Sequence, residues 1–417
     1  MKIVIAAFGS LGDMHPMNAL GIELKKRGHE VIFAAMEFYR EKIEMLGFEL
    51  RPMRPNLDPN NKELARELMD ADKGSENLLR KIILPNLRPM YEDLLAAVAD
   101  ADLLISSEVV FVADSVVQKT GIKWITTTLA PGTLLSAHDP FVPPNVQWLK
   151  HFRFLGSGFH NVMYGFVKYK IASWFEDYRV FRREIGLDEN HDPLFDGKSN
   201  MLNLAMFSRV LGRPQPDWHS PTLQTGFCFY DGADDMGKMP EGLTEFLDSG
   251  EPPIVFTLGS AAVMDARDFY EESAKAARIL GKRAILLYGI FNEPPQGLNE
   301  SIVGFDYAPY SQVFPKAACV VHQGGVGTTS QVLRAGVPHL FMPYSHDQPD
   351  NAARCERLGV ARVISREKYN GATAARELEK LLSDESYKKT AVENSKIVNS
   401  EHGTQTACDA IEQILKK

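Results

Sequence analysis

Short apolar runs closed by glycine or polar residues alternate along this chain with longer amphipathic stretches, and the alternation predicts its elements. Ile3 to Phe8 is apolar and stops at Gly9, as a buried parallel strand does. A helix is expected from about Pro16 to Arg27, with Pro16 in its first turn and Gly28 at its stop. Val31–Ala34, Leu103–Ile105 and Trp124–Thr126 read as further strands. The series restarts at Ile254–Leu258, which ends at Gly259 and Ser260, and Asp265 is placed to cap a helix running to about Leu280. Ala284–Tyr288, Ala318–Val321 and Val337–Met342 follow as strands, and the tail from about Thr373 reads as helical. Strand–helix alternation of this kind builds parallel sheets covered by helices on both faces. The expected class is therefore α/β, with two doubly wound halves facing each other across a cleft.

Two stretches break the pattern. Between about 141 and 185, Phe159, Val162, Phe166, Trp174, Tyr178 and Phe181 recur at helical spacing. They read either as a core-facing amphipathic helix or as the lining of an apolar acceptor cleft. Residues 211–253 are rich in proline and carry the acidic run Asp231-Gly232-Ala233-Asp234-Asp235. That run lacks any ordered ligand spacing, so it reads as a solvated connection rather than a metal site.

Composition then excludes partners. A formal charge of −8 in 417 residues argues against nucleic acid, which needs a basic stripe. The four cysteines form no CxxC or Cys/His metal spacing and read as reduced thiols of a cytoplasmic protein. No apolar run reaches membrane-spanning length, and the first is too short for a signal segment. The expectation is a soluble protein, with room for peripheral membrane contact.

The most informative chemistry lies in Val321-His322-Gln323-Gly324-Gly325-Val326-Gly327-Thr328-Thr329-Ser330, between a strand and a helix. Its glycines let backbone approach an anion, and a helix N-terminus offers unpaired N–H groups at the positive end of its dipole. Thr328 and Thr329 add hydroxyls and caps, and His322 stands where it can donate to a diphosphate. One helix and one strand later, Asp347 and Gln348 offer the acceptors and donors that hold adjacent sugar hydroxyls.

The order of these pieces resembles the nucleotide-sugar-dependent glycosyltransferases of the GT-B fold, the UDP-glycosyltransferase superfamily. Tyr307-Ala308-Pro309, the His322 segment, Gly336-Val337-Pro338 and Asp347-Gln348 follow the family's donor signature. Gly9-Ser10-Leu11-Gly12-Asp13-Met14-His15-Pro16, Gly28-His29-Glu30-Val31 and Thr257-Leu258-Gly259-Ser260 match it elsewhere. The likeness spans essentially the whole chain. It is strongest to the bacterial branch with rhamnolipid-type rhamnosyltransferases, sterol glucosyltransferases and antibiotic glycosyltransferases.

The resemblance implies Rossmann-like domains at 1–225, binding the acceptor, and 251–400, binding the donor. A linker at 226–250 joins them, and a final helix at 401–417 returns to the first domain. It implies that His322, Gly324, Gly325, Val326, Gly327, Thr328 and Thr329 hold the diphosphate, with Gly259 and Ser260 from the other loop and Gly12 across the cleft. Tyr307 would stack on the base, and Asp347 and Gln348 would bind the sugar. Asp13 is the expected catalytic base, with His15 as the second candidate. Near a helix N-terminus the Asp13 pKa is expected to be low. Many relatives carry an orienting carboxylate where this chain has Ser107, in Ser106-Ser107-Glu108.

The implied reaction is inverting, metal-independent hexosyl transfer to a small lipophilic or aromatic acceptor. UDP-glucose is the first expected donor and dTDP-L-rhamnose the second, as co-substrate with no further cofactor. A nucleotide-sugar 2-epimerase and a non-catalytic nucleotide-sugar binder are the competing readings. The Asp347–Gln348 pair and the Gly-Asp-x-x-Pro stretch favour transfer.

Overall fold

The computed structural model describes residues 1–58, 60–232 and 237–416. Ala233, Asp234 and Asp235 of the acidic run, and Lys417 of the tail, lie outside the described residues.

Among the described residues, thirteen strands form two wholly parallel sheets. The first contains β1 (Lys2–Ala6), β2 (Glu30–Ala35), β3 (Glu49–Pro52), β4 (Leu103–Ser107), β5 (Lys123–Thr128), β6 (Asn203–Ala205) and β7 (Thr222–Gln224). Its order is β3-β2-β1-β4-β5-β6-β7. The second contains β8 (Ile254–Thr257), β9 (Ala284–Leu287), β10 (Ile302–Phe305), β11 (Cys319–His322), β12 (His339–Phe341) and β13 (Ala361–Val363), in the order β10-β9-β8-β11-β12-β13. Ile3–Ala6 and Ile254–Phe256 are wholly buried, as central parallel strands covered on both faces must be.

In each sheet the winding reverses beside the first strand, between β1 and β4 and between β8 and β11. Ligands of doubly wound sheets bind outside the carboxyl ends of strands at such a reversal. The segments that follow these four strands carry Gly12 and Asp13, Glu108, Gly259 and Ser260, and the glycine-rich stretch after His322.

Five helices matter for the site: α1 (Leu11–Lys26), α2 (Gly156–Ile171), α3 (Val326–Ala335), α4 (Gln348–Leu358) and α5 (Gly403–Lys416). The first begins five residues before the expected Pro16. Ser10 caps it, its side chain accepting from the Gly12 N–H while Asp13 accepts from the Ser10 N–H. This capping box nucleates the turn upstream of the proline. Asp265 does not cap the next domain's helix, which runs Phe269–Leu280 after Asp268. Its carboxylate is buried and paired with Arg366 at 2.5 Å instead.

The 141–185 aromatics divide. Tyr178 and Phe181 are buried in the first core, but Phe159, Val162 and Phe166 lie exposed on α2. Their exposure takes those three out of the core. At the other end of the chain, α5 buries Ala407, Cys408 and Ile411 in the core around β1. Arg27 holds Asp409 at 2.6 Å, and His29 meets Glu412 at 3.2 Å.

The two sheets share a third apolar cluster, in which Leu134, Phe207 and Leu211 pack with Leu333, Phe341 and Cys355. Beside it, buried Arg354 lies between Asp350 at 2.6 Å and Asp139. An arginine taken out of water needs such paired, hydrogen-bonded carboxylates. Here they tie α4 to the loop after β5.

Candidate active site

Two helix N-termini meet at the centre of the molecule. A β-carbon built on Gly327, in the first turn of α3, would lie 3.9 Å from the Cα of Gly12 in the first turn of α1. Each helix leaves unpaired N–H groups at its start. In α1 the Asp13 carboxylate answers them through one oxygen, Oδ2, which accepts from the Ser10 N–H at 2.7 Å and from its hydroxyl at 3.2 Å.

In α3 the helix opens on Gly325, and the Val326 N–H donates to Asp347 Oδ2 at 3.2 Å. Asn351 donates to that same oxygen at 2.7 Å and to the Gly324 carbonyl at 2.9 Å. Thus Asp347 reaches across from the start of α4 to brace the glycine-rich turn. Gly324 has φ +99°, and a β-carbon there would come within 3.0 Å of the Gln348 carbonyl. Only glycine fits that approach without strain. Gly259 adopts φ +64° against the Gln323 amide, so the β8 loop seals onto the same turn, while Ser260 beside it is exposed.

Several expected ligand groups are engaged within the protein. His322 is wholly buried: Nδ1 accepts from the Gly324 N–H at 3.1 Å, and Nε2 meets His339 Nδ1 at 3.0 Å. Burial pushes its pKa down to about 3, so the imidazole is neutral and shapes the loop in this conformation. The Thr329 hydroxyl, expected to face a phosphate, donates to the Gly324 carbonyl at 3.3 Å. Thr328 is buried beside it. Gln348 is also buried, accepting from the Tyr344 N–H at 2.9 Å. Tyr307 is half-buried at the end of β10.

Other polar atoms around the same loops are buried with no partner: Ser107 Oγ, Gln323 Oε1, Ser345 Oγ and Asn351 Oδ1. Unsatisfied groups at this density are costly in a folded interior, and a polar ligand would satisfy them.

Carboxylates dominate the electrostatics. Burial raises the Asp13 pKa, against the lowering from its Ser10 hydrogen bonds, so the low value expected from the helix dipole does not hold. Burial also pushes Glu108 and Asp347 up to about 7 each; Asp13 adds to both, and Lys198 opposes the shift at Glu108. Asp13, Glu108 and Asp347 therefore share one electrostatic site. Glu108 was missed as a site residue. It lies one position beyond Ser107, and the register at the end of β4 that brings it in is not visible in sequence. His15 is two residues from Asp13 and so on another side of the helix. Its ring lies 5.1 Å from that of Tyr230.

Known proteins resemble this chain over its whole length. The chain is 30% identical to the O-mycaminosyltylonolide 6-deoxyallosyltransferase of Streptomyces fradiae, over 99% of this chain and 97% of the relative. The chain belongs to the UDP-glycosyltransferase superfamily, with the GT-B fold.

This glycosyltransferase is also 26% identical to a sterol 3-beta-glucosyltransferase of Saccharomyces cerevisiae (strain YJM789), over 98% of the chain but only 35% of the relative. The chain thus spans about a third of that relative's length. The family model of the erythromycin biosynthesis protein CIII-like C-terminal domain matches residues 295–412 of the enzyme. Among solved structures, the glycotransferase of kitacinnamycin superposes with a TM-score of 0.76 at 21% identity, covering 99% of both chains.

Proposed function

We propose that the enzyme transfers a hexosyl group from a nucleotide sugar to a hydroxyl of a small lipophilic or aromatic acceptor, with inversion and without a metal ion. The observation that carries this reading is the meeting of two helix N-termini. One holds a carboxylate of raised proton affinity, and the other is a glycine-rich anion cradle. Asp13 takes the acceptor proton as the new bond to the anomeric carbon forms from the face opposite the nucleotide. A pKa raised by burial makes it a better base than a solvated aspartate. The leaving diphosphate develops charge against the first-turn N–H groups of Gly327 and Thr328 and the positive end of α3. Ser260 reaches the diphosphate from the β8 loop.

Asp347 Oδ2 already accepts two hydrogen bonds, which leaves its other oxygen for a sugar hydroxyl. Gln348 joins it on exchanging its Tyr344 contact. Tyr307 stacks on the base. His322 acts as a positioning residue through Gly324.

Preformed N–H donors support diphosphate departure without a metal. The donor is UDP-glucose or a dTDP-6-deoxyhexose such as dTDP-L-rhamnose. The names of the two relatives, a 6-deoxyallosyltransferase and a glucosyltransferase, support this pair. A cytoplasmic enzyme fits the cysteine pattern, and no helix among the described residues is long and apolar enough to cross a membrane.

The test is a panel of nucleotide sugars with a sterol and a macrolactone acceptor, with and without EDTA. The anomeric configuration of the product is read by NMR. Inverted product that persists in EDTA is expected. Retained configuration, or activity that returns only with Mg²⁺ or Mn²⁺, would overturn the mechanism. Formation of an epimerised sugar from donor alone would favour the epimerase reading.

A further inference from the structure

The surface between Pro144 and Ile171 inverts the usual rule for a helix on a globular protein. On α2 the outward stripe is apolar: Phe159, Val162, Phe166 and Tyr169 recur at spacings of three, four and three residues, all exposed. Val162 is 73% and Tyr169 78% exposed. The turns just before the helix add Trp148 and Phe154, the latter 79% exposed. Scattered apolar residues on a surface need no explanation, but a contiguous aromatic patch does.

Charge says what covers it. Residues 141–175 contain Lys150, Arg153, Lys168 and Lys170 and no Asp or Glu, in a chain of formal charge −8. Their partners come from neighbouring elements: Glu356 for Lys150, Asp139 for Arg153 and Asp192 for Lys168. Lys170 lies over the Phe166 ring. Asp139 is shared with Arg354 and Arg357, and Asp350 also pairs with Arg354. With Arg354 and Asp350 buried beneath, the cations Lys150, Arg153, Lys168, Lys170 and Arg357 face the carboxylates Glu356, Asp139 and Asp192 around the patch. Exposed pairs such as Lys150–Glu356 and Lys168–Asp192 are weak and exchange readily for other anions.

We propose that this face docks the enzyme on an anionic lipid bilayer, with the aromatic stripe in the interface and the lysines against lipid phosphates. An apolar, aromatic-rich face flanked by lysines, on a helix too polar to span, is the pattern of interfacial helices. A second copy fits less well, because a two-fold contact would oppose two like-charged surfaces. The patch is tied to the cleft. Tyr164 on α2 accepts from the Phe141 N–H at 3.0 Å, and the Val142 N–H donates to Asp350 at 3.1 Å, three residues beyond Asp347. Docking would turn the rim of the acceptor side toward the lipid. The proposal is independent of which sugar is moved and of the catalytic assignments.

The experiment is flotation of the full chain with vesicles of phosphatidylcholine alone and of phosphatidylcholine mixed with phosphatidylglycerol. Binding to the mixed vesicles, weakened by salt, is expected. The variant carrying Phe154→Ser, Val162→Ser, Phe166→Ser and Tyr169→Ser should lose it at least tenfold with unchanged circular dichroism and Tm, because those side chains are already exposed. Lys168→Glu with Lys170→Glu should cost about fivefold or more for each lysine reversed, on the anionic vesicles only. No flotation with either vesicle would overturn the proposal. So would lipid-free self-association that the serine variant abolishes, which would assign the patch to a second copy.

Discussion

At the start of α1 the unpaired N–H groups are met by side chains of the same turn, Ser10 and Asp13. At the start of α3 they meet Asp347, 21 residues further along the chain. The two ends face each other, and the difference in their caps divides their chemistry. A local capping box keeps its carboxylate at a fixed place whether or not a ligand is present, which suits a proton acceptor. A cap brought from another helix leaves its own turn made of glycine, open to an anion, and couples that turn to whatever the capping carboxylate binds. On the mechanism proposed above, one end serves proton transfer and the other charge development on a leaving group.

The largest effect should come from removing the proton acceptor while keeping the cap. Asp13→Asn preserves the capping geometry but should lower transfer to hydroxyl acceptors by about 10²–10⁴-fold. Donor affinity by calorimetry should stay near wild type. An acidic phenol that arrives already ionised should recover part of the rate. If Asp13→Asn is nearly silent and His15→Ala inactive, the base is His15, and the division drawn between the two helix ends fails.

Next is the glycine turn. Gly324→Ala forces φ +99° on a residue with a β-carbon 3.0 Å from the Gln348 carbonyl and the Phe341 ring. Strain of about 1–3 kcal/mol should weaken donor binding by roughly 10–100-fold. Unchanged donor affinity would remove this turn from the site.

Asp347→Asn should weaken donor binding by about tenfold, the worth of one charge-assisted hydrogen bond. Its effect on the empty enzyme has the opposite sign. The folded Asp347 pKa, pushed up to about 7, lies above the unfolded carboxylate value, so the folded state binds the proton more tightly. Stability is therefore lost as pH rises from the unfolded value toward 7, and the loss is complete above it. The asparagine should raise Tm by about 2–4 °C at pH 8 and leave it unchanged at pH 4. A lower Tm at pH 8 would mean that the cap on Val326 outweighs the buried charge.

The smallest effect sharpens the contrast. Ser10→Ala removes a local cap worth about 1 kcal/mol, or about 2–4 °C in Tm. It also removes the hydroxyl hydrogen bond that helps hold the Asp13 pKa down, while the Ser10 N–H bond stays. The wild-type rate should fall with acid through a midpoint above the ordinary carboxylate range, and in Ser10→Ala that midpoint should move higher still. An unshifted midpoint would separate Asp13 from the pH limb.

The sequence by itself determined the doubly wound halves and most of the loops that meet between them. Buried strands such as Ile3–Phe8 and Ile254–Leu258 must be continuously apolar, and glycine is needed where backbone approaches backbone. Both demands leave marks in local residue order. It left the short strands β3, β6, β7, β10 and β13 unmarked, because three or four residues at or near a sheet edge need little apolar patterning. Only the tertiary structure decided the ionisation of Asp13, because burial among the cleft loops overrides a helix dipole that the sequence makes obvious. It alone brought Glu108 and Asp347 into the field of Asp13, residues 95 and 334 positions away. It turned His322 toward His339 rather than into the cleft, since the side-chain direction at a strand end depends on the neighbouring strand. The outward face of α2 was equally hidden. Helical spacing shows that Phe159, Val162 and Phe166 share a side, but which side faces the protein is settled by Tyr164, which meets the Phe141 N–H, and by His160, which is buried.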